Sequence, residues 1–185
     1  IFASAERQPA HTALVSGSES LSYEALAERV CGFARAVAGL GIARGDRVGV
    51  WLDKRFETVI ASFGIAAAGC VFVPLNPLLK PEQVGYILRD CNVRVLVTSA
   101  ERLELIADIV ADCADLAHIV VCGNAQASQA PGATIHPWTG LVTASGGIPH
   151  RVLDTDVLAI LYTSGSTGQP KGVVLSQRNM FAGAK

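Results

Sequence analysis

Residues 162–172 read Y-T-S-G-S-T-G-Q-P-K-G and hold the densest gathering of chemistry-bearing groups in the chain. Thr163, Ser164, Ser166 and Thr167 bring hydroxyls, and Lys171 adds a point positive charge. Gly165, Gly168 and Gly172 let the main chain bend and come close to a ligand. The apolar run Val157-Leu158-Ala159-Ile160-Leu161 in front of them reads as a strand. Donors and a cation around an unhindered concavity at a strand end suit a polyphosphate. The chemistry expected here is nucleotide-phosphate binding.

The loop is not of the G-x-x-x-x-G-K-[ST] kind, in which a helix opens directly after the lysine and points its N-terminus at the phosphates. Pro170 precedes Lys171, and Gly172-Val173-Val174-Leu175 continues as a β-branched strand. A Gly/Ser-rich hairpin loop is the plain structural alternative. Pro-Lys-Gly in place, with strands on both sides, favours the ligand-binding reading.

The elements that must position this loop alternate. Ser22 is placed as a helix N-cap, with Glu24 near the positive end of the helix dipole and Leu21 and Leu26 at staple spacing. Leu26, Val30, Phe33 and Val37 recur at three and four and mark one buried helix face, which Gly39 and Gly41 end. Strands are expected over 47–52, 70–75, 93–98 and 118–122, and helices over 55–68, 81–90 and 101–113, with Pro81 in a first helical turn. The strand sequences are near-continuous apolar runs rather than alternating ones, as in sheets covered on both faces. The fold class is therefore α/β, a three-layer arrangement of a largely parallel sheet with helices on both faces. Residues 123–155 lack strong periodicity and are expected to be an irregular connection. Within it Ile135-His136-Pro137-Trp138 is a point of attachment to the body, with Trp138 packing a surface loop.

With 185 residues the chain can bury a sizeable core; 50% of them are hydrophobic, 17% are charged, and the net charge is −1. That balance gives no field for steering nucleic acid or anionic lipid, so neither is expected as a partner. Cys31, Cys70, Cys91, Cys113 and Cys122 contain no C-x-x-C pair and sit in apolar contexts, which fits a reducing cytoplasm better than secretion. His11, His118, His136 and His150 show no metal-ligand spacing. Residues 58–79 carry no charge and are long enough to cross a bilayer. Gly64, Gly69, Pro74, Asn76 and Pro77 interrupt them, so a helix followed by a buried strand is expected, and no transmembrane segment. A chain opening at Ile1 without methionine and stopping at Lys185 inside a helical pattern is expected to be a piece of a longer protein.

The full Y-T-S-G-S-T-G-x-P-K-G-V stretch resembles the signature loop of the adenylate-forming (acyl-activating, AMP-binding) enzymes. Leu21-Ser22-Tyr23-Glu24-Ala25-Leu26 resembles the family's early L-[TS]-Y-x-E-L box, and Ala68-Gly69-Cys70-Val71-Phe72-Val73-Pro74-Leu75-Asn76-Pro77 its A-G-x-x-x-V-P-[IL]-[ND]-P box. The resemblance implies that residues 1–185 are an N-terminal fragment of the large AMP-binding domain. A βα core would cover 18–122, the irregular connection 123–155, and strand, phosphate loop and strand 156–176. It implies that Thr163, Ser164, Gly165, Ser166, Thr167 and Gly168 wrap the β- and γ-phosphates of ATP, that Lys171 adds charge, and that Thr167 shares a Mg²⁺ ion.

The implied reaction is activation of a small-molecule carboxylic acid, a fatty or other acyl acid, to an acyl-adenylate with release of pyrophosphate, followed by transfer to coenzyme A. The family's later motifs, with its Mg²⁺-binding acid, adenine and ribose contacts, acyl pocket and mobile C-terminal lysine, have no counterpart before Lys185, so no catalytic residue is expected in these residues. Lys185 reads as a solvated lysine, and the isolated fragment is expected to be inactive. Pro74-Leu75-Asn76-Pro77 resembles acyl-CoA ligases more than the amino-acid-activating branch, while Gln177 stands where those ligases carry histidine. An adenylation domain loading a carrier protein and a non-catalytic nucleotide-binding module are the alternatives. The oligomeric state is left open.

Overall fold

The computed structural model describes residues 1–124, 130–142, 147–150, 152–163 and 169–183. The chain enters through a short helix, α1 (Phe2–Arg7), and a hairpin of β1 (Thr12–Ser16) and β2 (Glu19–Ser22) that makes a small sheet of its own. Gly17 turns this hairpin at φ 59°, a left-handed conformation that glycine adopts without a Cβ penalty. The sequence reading assigns no element before Ser22, because these strands are short and largely exposed and only Leu21 is buried.

Helix α2 (Tyr23–Gly39) starts as expected, with Ser22 Oγ accepting a hydrogen bond from the Ala25 amide at 3.2 Å. The expected alternation then follows as β3 (Arg47–Trp51), α3 (Phe56–Ala67), β4 (Val71–Pro74), α4 (Pro81–Asp90), β5 (Val93–Ser99), α5 (Ala100–Val110) and β6 (His118–Cys122). The uncharged stretch 58–79 resolves into α3 and β4, and among the described residues no helix is long and apolar enough to cross a membrane.

Two elements lie where the sequence suggests irregular chain. β7 (Thr134–Pro137) pairs in parallel with β6, and α6 (Trp138–Leu141) follows it. Trp138 is not on a surface loop; it is 9% exposed and stacks on Phe33 with ring centroids 4.9 Å apart. Both elements are held by partners distant in the chain, so local periodicity does not reveal them. The chain closes through β8 (Val157–Thr163), β9 (Lys171–Ser176) and α7 (Gln177–Gly183).

The seven-stranded sheet runs β7-β6-β5-β3-β4-β8-β9, parallel throughout except for the antiparallel β8–β9 pair. Successive side chains of its central strands go to opposite cores. Val48, Val50, Val95, Val97 and Val120 join Leu26, Val30 and Phe33 of α2 and Ile60 and Ile65 of α3. Trp51, Leu96, Ile119 and Val121 join Val84, Ile87 and Leu88 of α4 and Leu103 and Ile106 of α5. The result is three-layered α/β, and the double coverage explains why these strands read as unbroken apolar runs.

Candidate functional site

β8 runs parallel to β4, so the loop that leaves its end emerges at the carboxyl edge of the sheet, where open α/β folds bind ligands. The β8–β9 ladder closes on the pair Thr163↔Lys171, preceded by Tyr162↔Gly172 and Leu161↔Val173. Thr163 and Lys171 thus face each other across the mouth of the loop. Ser164, Gly165, Ser166, Thr167 and Gly168 lie outside the described residues. Lys171 is exposed, and among the described residues no carboxylate pairs with its ammonium. A hydroxyl and an uncommitted cation at one mouth fit an anionic phosphate.

Gly172 has a different task from the one its motif suggests. A Cβ there would come 2.8 Å from Ile160 Cγ2 and 3.3 Å from Tyr162 Cζ, so the bare backbone makes room for those two side chains rather than for a ligand. Tyr162 packs against the α4–α5 core, and its hydroxyl donates to Asp90 Oδ2 at 2.5 Å. Burial, and then the hydrogen bond to that carboxylate, push the Tyr162 phenol above its ordinary range, so it stays protonated and a donor.

The rim around this edge is braced by residues that carry no sequence signature. Arg102, in α5, donates to the Pro77 carbonyl at 2.9 Å, pairs with Asp53 at 2.8 Å and lies 5.0 Å from the Trp51 ring centre. One guanidinium therefore ties together the chain leaving β3, β4 and β5. At the opposite end of the hairpin, away from the loop, Ser176 and Asn179 exchange backbone-to-side-chain hydrogen bonds at the start of α7. Arg178 pairs with Asp154 at 2.8 Å, and Arg44 pairs with Asp156 ahead of β8. The Leu153 amide and Arg44 hold the Asp156 carboxyl below the usual range. Gln177 begins α7, its amide bonded to the Asp156 carbonyl at 3.0 Å. A cleft of about 320 Å³ lined by Arg44, Arg47, Val71, Asp156, Ile160 and Val174 opens near the starts of β3 and β4, at the end away from the loop.

The remaining chemistry-bearing residues are structural. All five cysteines are free, and all but Cys31 are buried. Burial pushes Cys70 up to about 11 and Cys122 up to about 12, which leaves them as inert thiols at neutral pH. His118 and His136, unrelated by spacing in the sequence, meet across β6 and β7 with ring nitrogens 3.1 Å apart. Among the described residues no group of three or more metal-ligating side chains forms. The Mg²⁺ role expected of Thr167 lies outside the described residues.

A family model described as AMP-binding enzyme matches residues 1–185. The chain belongs to that family. Among relatives of this AMP-binding family member, an L-proline–[L-prolyl-carrier protein] ligase from Pseudomonas fluorescens is 34% identical over 177 residues, covering 95% of this chain and 34% of that protein. An acetyl-coenzyme A synthetase from Syntrophus aciditrophicus is 36% identical over 170 residues, covering 85% of this chain and 26% of that protein. Among solved structures, the anthranilate CoA ligase AuaEII in complex with anthranoyl-AMP superposes with a TM-score of 0.79 at 31% identity, over 94% of this chain and 34% of that one. The chain spans about a third or less of the curated relatives it matches. Homologues of this AMP-binding chain thus include both CoA-linked and carrier-protein-linked ligases.

Proposed function

We propose that the parent protein activates a carboxylic acid with ATP and that this chain contributes the loop that holds the departing phosphates. The acid's carboxylate oxygen attacks the α-phosphorus, the bond to the bridging oxygen of pyrophosphate breaks, and an acyl-adenylate forms. The observation that carries this reading is the Thr163–Lys171 pair at the carboxyl edge of the sheet, in a chain of the AMP-binding family. Thr163, with Ser164, Gly165, Ser166, Thr167 and Gly168, supplies hydroxyl and amide donors to the β- and γ-phosphates, and Lys171 balances the charge that gathers on pyrophosphate as it leaves. Such chemistry asks for positioning and neutralisation rather than covalent help. Thr167 would be one ligand of a Mg²⁺ ion, which would supply further neutralisation of the phosphate charge.

For the second step we propose transfer to the thiol of coenzyme A. The motif Pro74-Leu75-Asn76-Pro77 supports this, and so do the CoA-linked relatives. A carrier-protein thiol is the second reading, supported by the prolyl-carrier ligase. A fatty or other acyl acid is the proposed substrate class, and the free, buried thiols fit the reducing cytoplasm.

The test uses the full-length protein. Carboxylate-dependent exchange of labelled pyrophosphate into ATP, across a panel of fatty, aromatic and amino acids, should appear with at least one acid. Product formation with coenzyme A but not with a phosphopantetheinylated carrier protein supports the CoA reading, and the reverse supports the other. No exchange with any acid would leave a nucleotide-binding module and sink the enzymatic reading.

A further inference from the structure

We propose that Tyr162 and Asp90 form a strut that positions the phosphate loop, a role that rests on the adenylation reading above. The β8–β9 hairpin forms the outer end of the sheet, beyond β4. Its ladder is long within itself, and among the described residues β8 is registered against β4 at Phe72↔Ala159. β9 is the outermost strand, with Val173 45% and Val174 58% exposed. A loop carried by such a hairpin would swing with it unless something else fixed the mouth.

Tyr162 is placed to do so. It immediately precedes Thr163 and pairs with Gly172, next to Lys171. Its ring lies close against the bare Gly172, so a single side chain touches both strands at the loop's mouth. Its hydroxyl reaches Asp90, the last residue of α4, at 2.5 Å. Helix α4 is itself fixed through the buried Val84, Ile87 and Leu88. The other Asp90 oxygen accepts the Tyr86 hydroxyl in a longer contact of 3.4 Å. The loop mouth is therefore tied through one hydrogen bond to α4, a helix packed on the sheet, and not only to its own hairpin. Tyr162 acts through Thr163 and Lys171 and is a positioning residue.

The experiment compares variants of the full-length protein. Tyr162→Phe keeps the ring and removes the donor. It should slow adenylation roughly ten- to hundredfold, the scale for misplacing a reacting group, and change acyl transfer from preformed acyl-adenylate by less than about twofold. Asp90→Asn retains an acceptor oxygen and should restore adenylation close to the wild-type rate, whereas Asp90→Ala should match Tyr162→Phe. The double variant Tyr162→Phe/Asp90→Ala should be no slower than the slower single one, because both remove the same bond. Amide hydrogen exchange without ATP should rise in Tyr162→Phe across 157–163 and 169–176 and stay unchanged in β3 and β5. Unchanged exchange in the hairpin overturns the strut, as does equal slowing of both half-reactions or loss of protection throughout the sheet. If the wild-type protein adenylates no acid, the functional reading fails by itself, and hydrogen exchange still decides the strut.

Discussion

Lys171→Ala isolates the electrostatic part of the proposed site. Lys171 stands opposite Thr163 at the loop mouth, exposed and without an ion-pair partner among the described residues. Its charge is available to the phosphates, and its removal strands no buried partner. An ammonium about 4 Å from a phosphate charge gains about 1 kcal/mol in bulk water and about 4 kcal/mol at the effective dielectric of a protein surface. At about 1.4 kcal/mol per factor of ten, those limits span roughly five- to thousandfold in rate, and an exposed loop mouth closed by substrate belongs near the middle, about a hundredfold. The contact strengthens only as charge moves onto pyrophosphate, so the loss should fall on the adenylation rate more than on acid binding. Pyrophosphate exchange reads the first half-reaction, and thioester formation from preformed acyl-adenylate reads the second, in which no pyrophosphate leaves. Lys171→Arg should recover most of the first rate, and the gap between Lys171 and Ala should narrow as salt rises. Equal loss in both half-reactions would refute the reasoning, since Lys171 would then be supporting the fold rather than the departing phosphates.

Three further outcomes follow from the packing and the titrating groups. In Gly64→Ala the added Cβ would sit 2.7 Å from Phe33 Cδ1 and 3.2 Å from the Val30 carbonyl oxygen, between a ring backed by Trp138 and a helix backbone. Overpacking of about 3 kcal/mol against a helix-propensity gain of about 1 kcal/mol should lower the melting temperature by roughly 4–8 °C, and an unchanged or higher value would contradict the close α2–α3 packing. Trp138→Ala should cost about 3–5 kcal/mol in urea unfolding, and a loss under about 1 kcal/mol would mean that α6 merely rests on the surface. Burial and then the neighbouring His118 hold His136 below its ordinary value of 6.5, so the unfolded chain takes up a proton that the folded one resists. That contribution is complete above about pH 6.5 and is lost as the pH falls below it. The drop in melting temperature between pH 7.5 and 5.5 should therefore be smaller in His136→Asn, and an equal drop in both proteins would remove His136 as a cause.

The parts of the fold legible in the sequence are those whose causes are local. Ser22 caps α2 through an amide three residues on, Pro81 opens α4, and His118–Cys122 is apolar enough to announce a strand buried on both faces. β7 escapes notice because Thr134–Pro137 owes its extended form to pairing with β6, and α6 because Trp138 is held by a ring on α2. The site divides along the same line. Its proposed donors and cation are contiguous in the sequence from Thr163 to Lys171, since a loop proposed to wrap phosphates needs many small polar groups within a few residues, and a motif records that. The supports of the site and of the hairpin that carries it are scattered: Asp90 on α4, Arg102 on α5, and, at the hairpin's far end, Arg44 meeting Asp156 ahead of β8. Each of these acts through hydrogen bonds or an ion pair to residues distant in the chain, and nothing in its own neighbourhood of the sequence distinguishes it from a solvated surface charge. Gly172 shows how the two kinds of information meet. It sits within the motif like a phosphate-loop glycine, yet it is bare because Ile160 and Tyr162 fill the space where its side chain would stand. The motif thus encodes part of its own support: the tyrosine that opens it and the glycine that closes it are a packing pair.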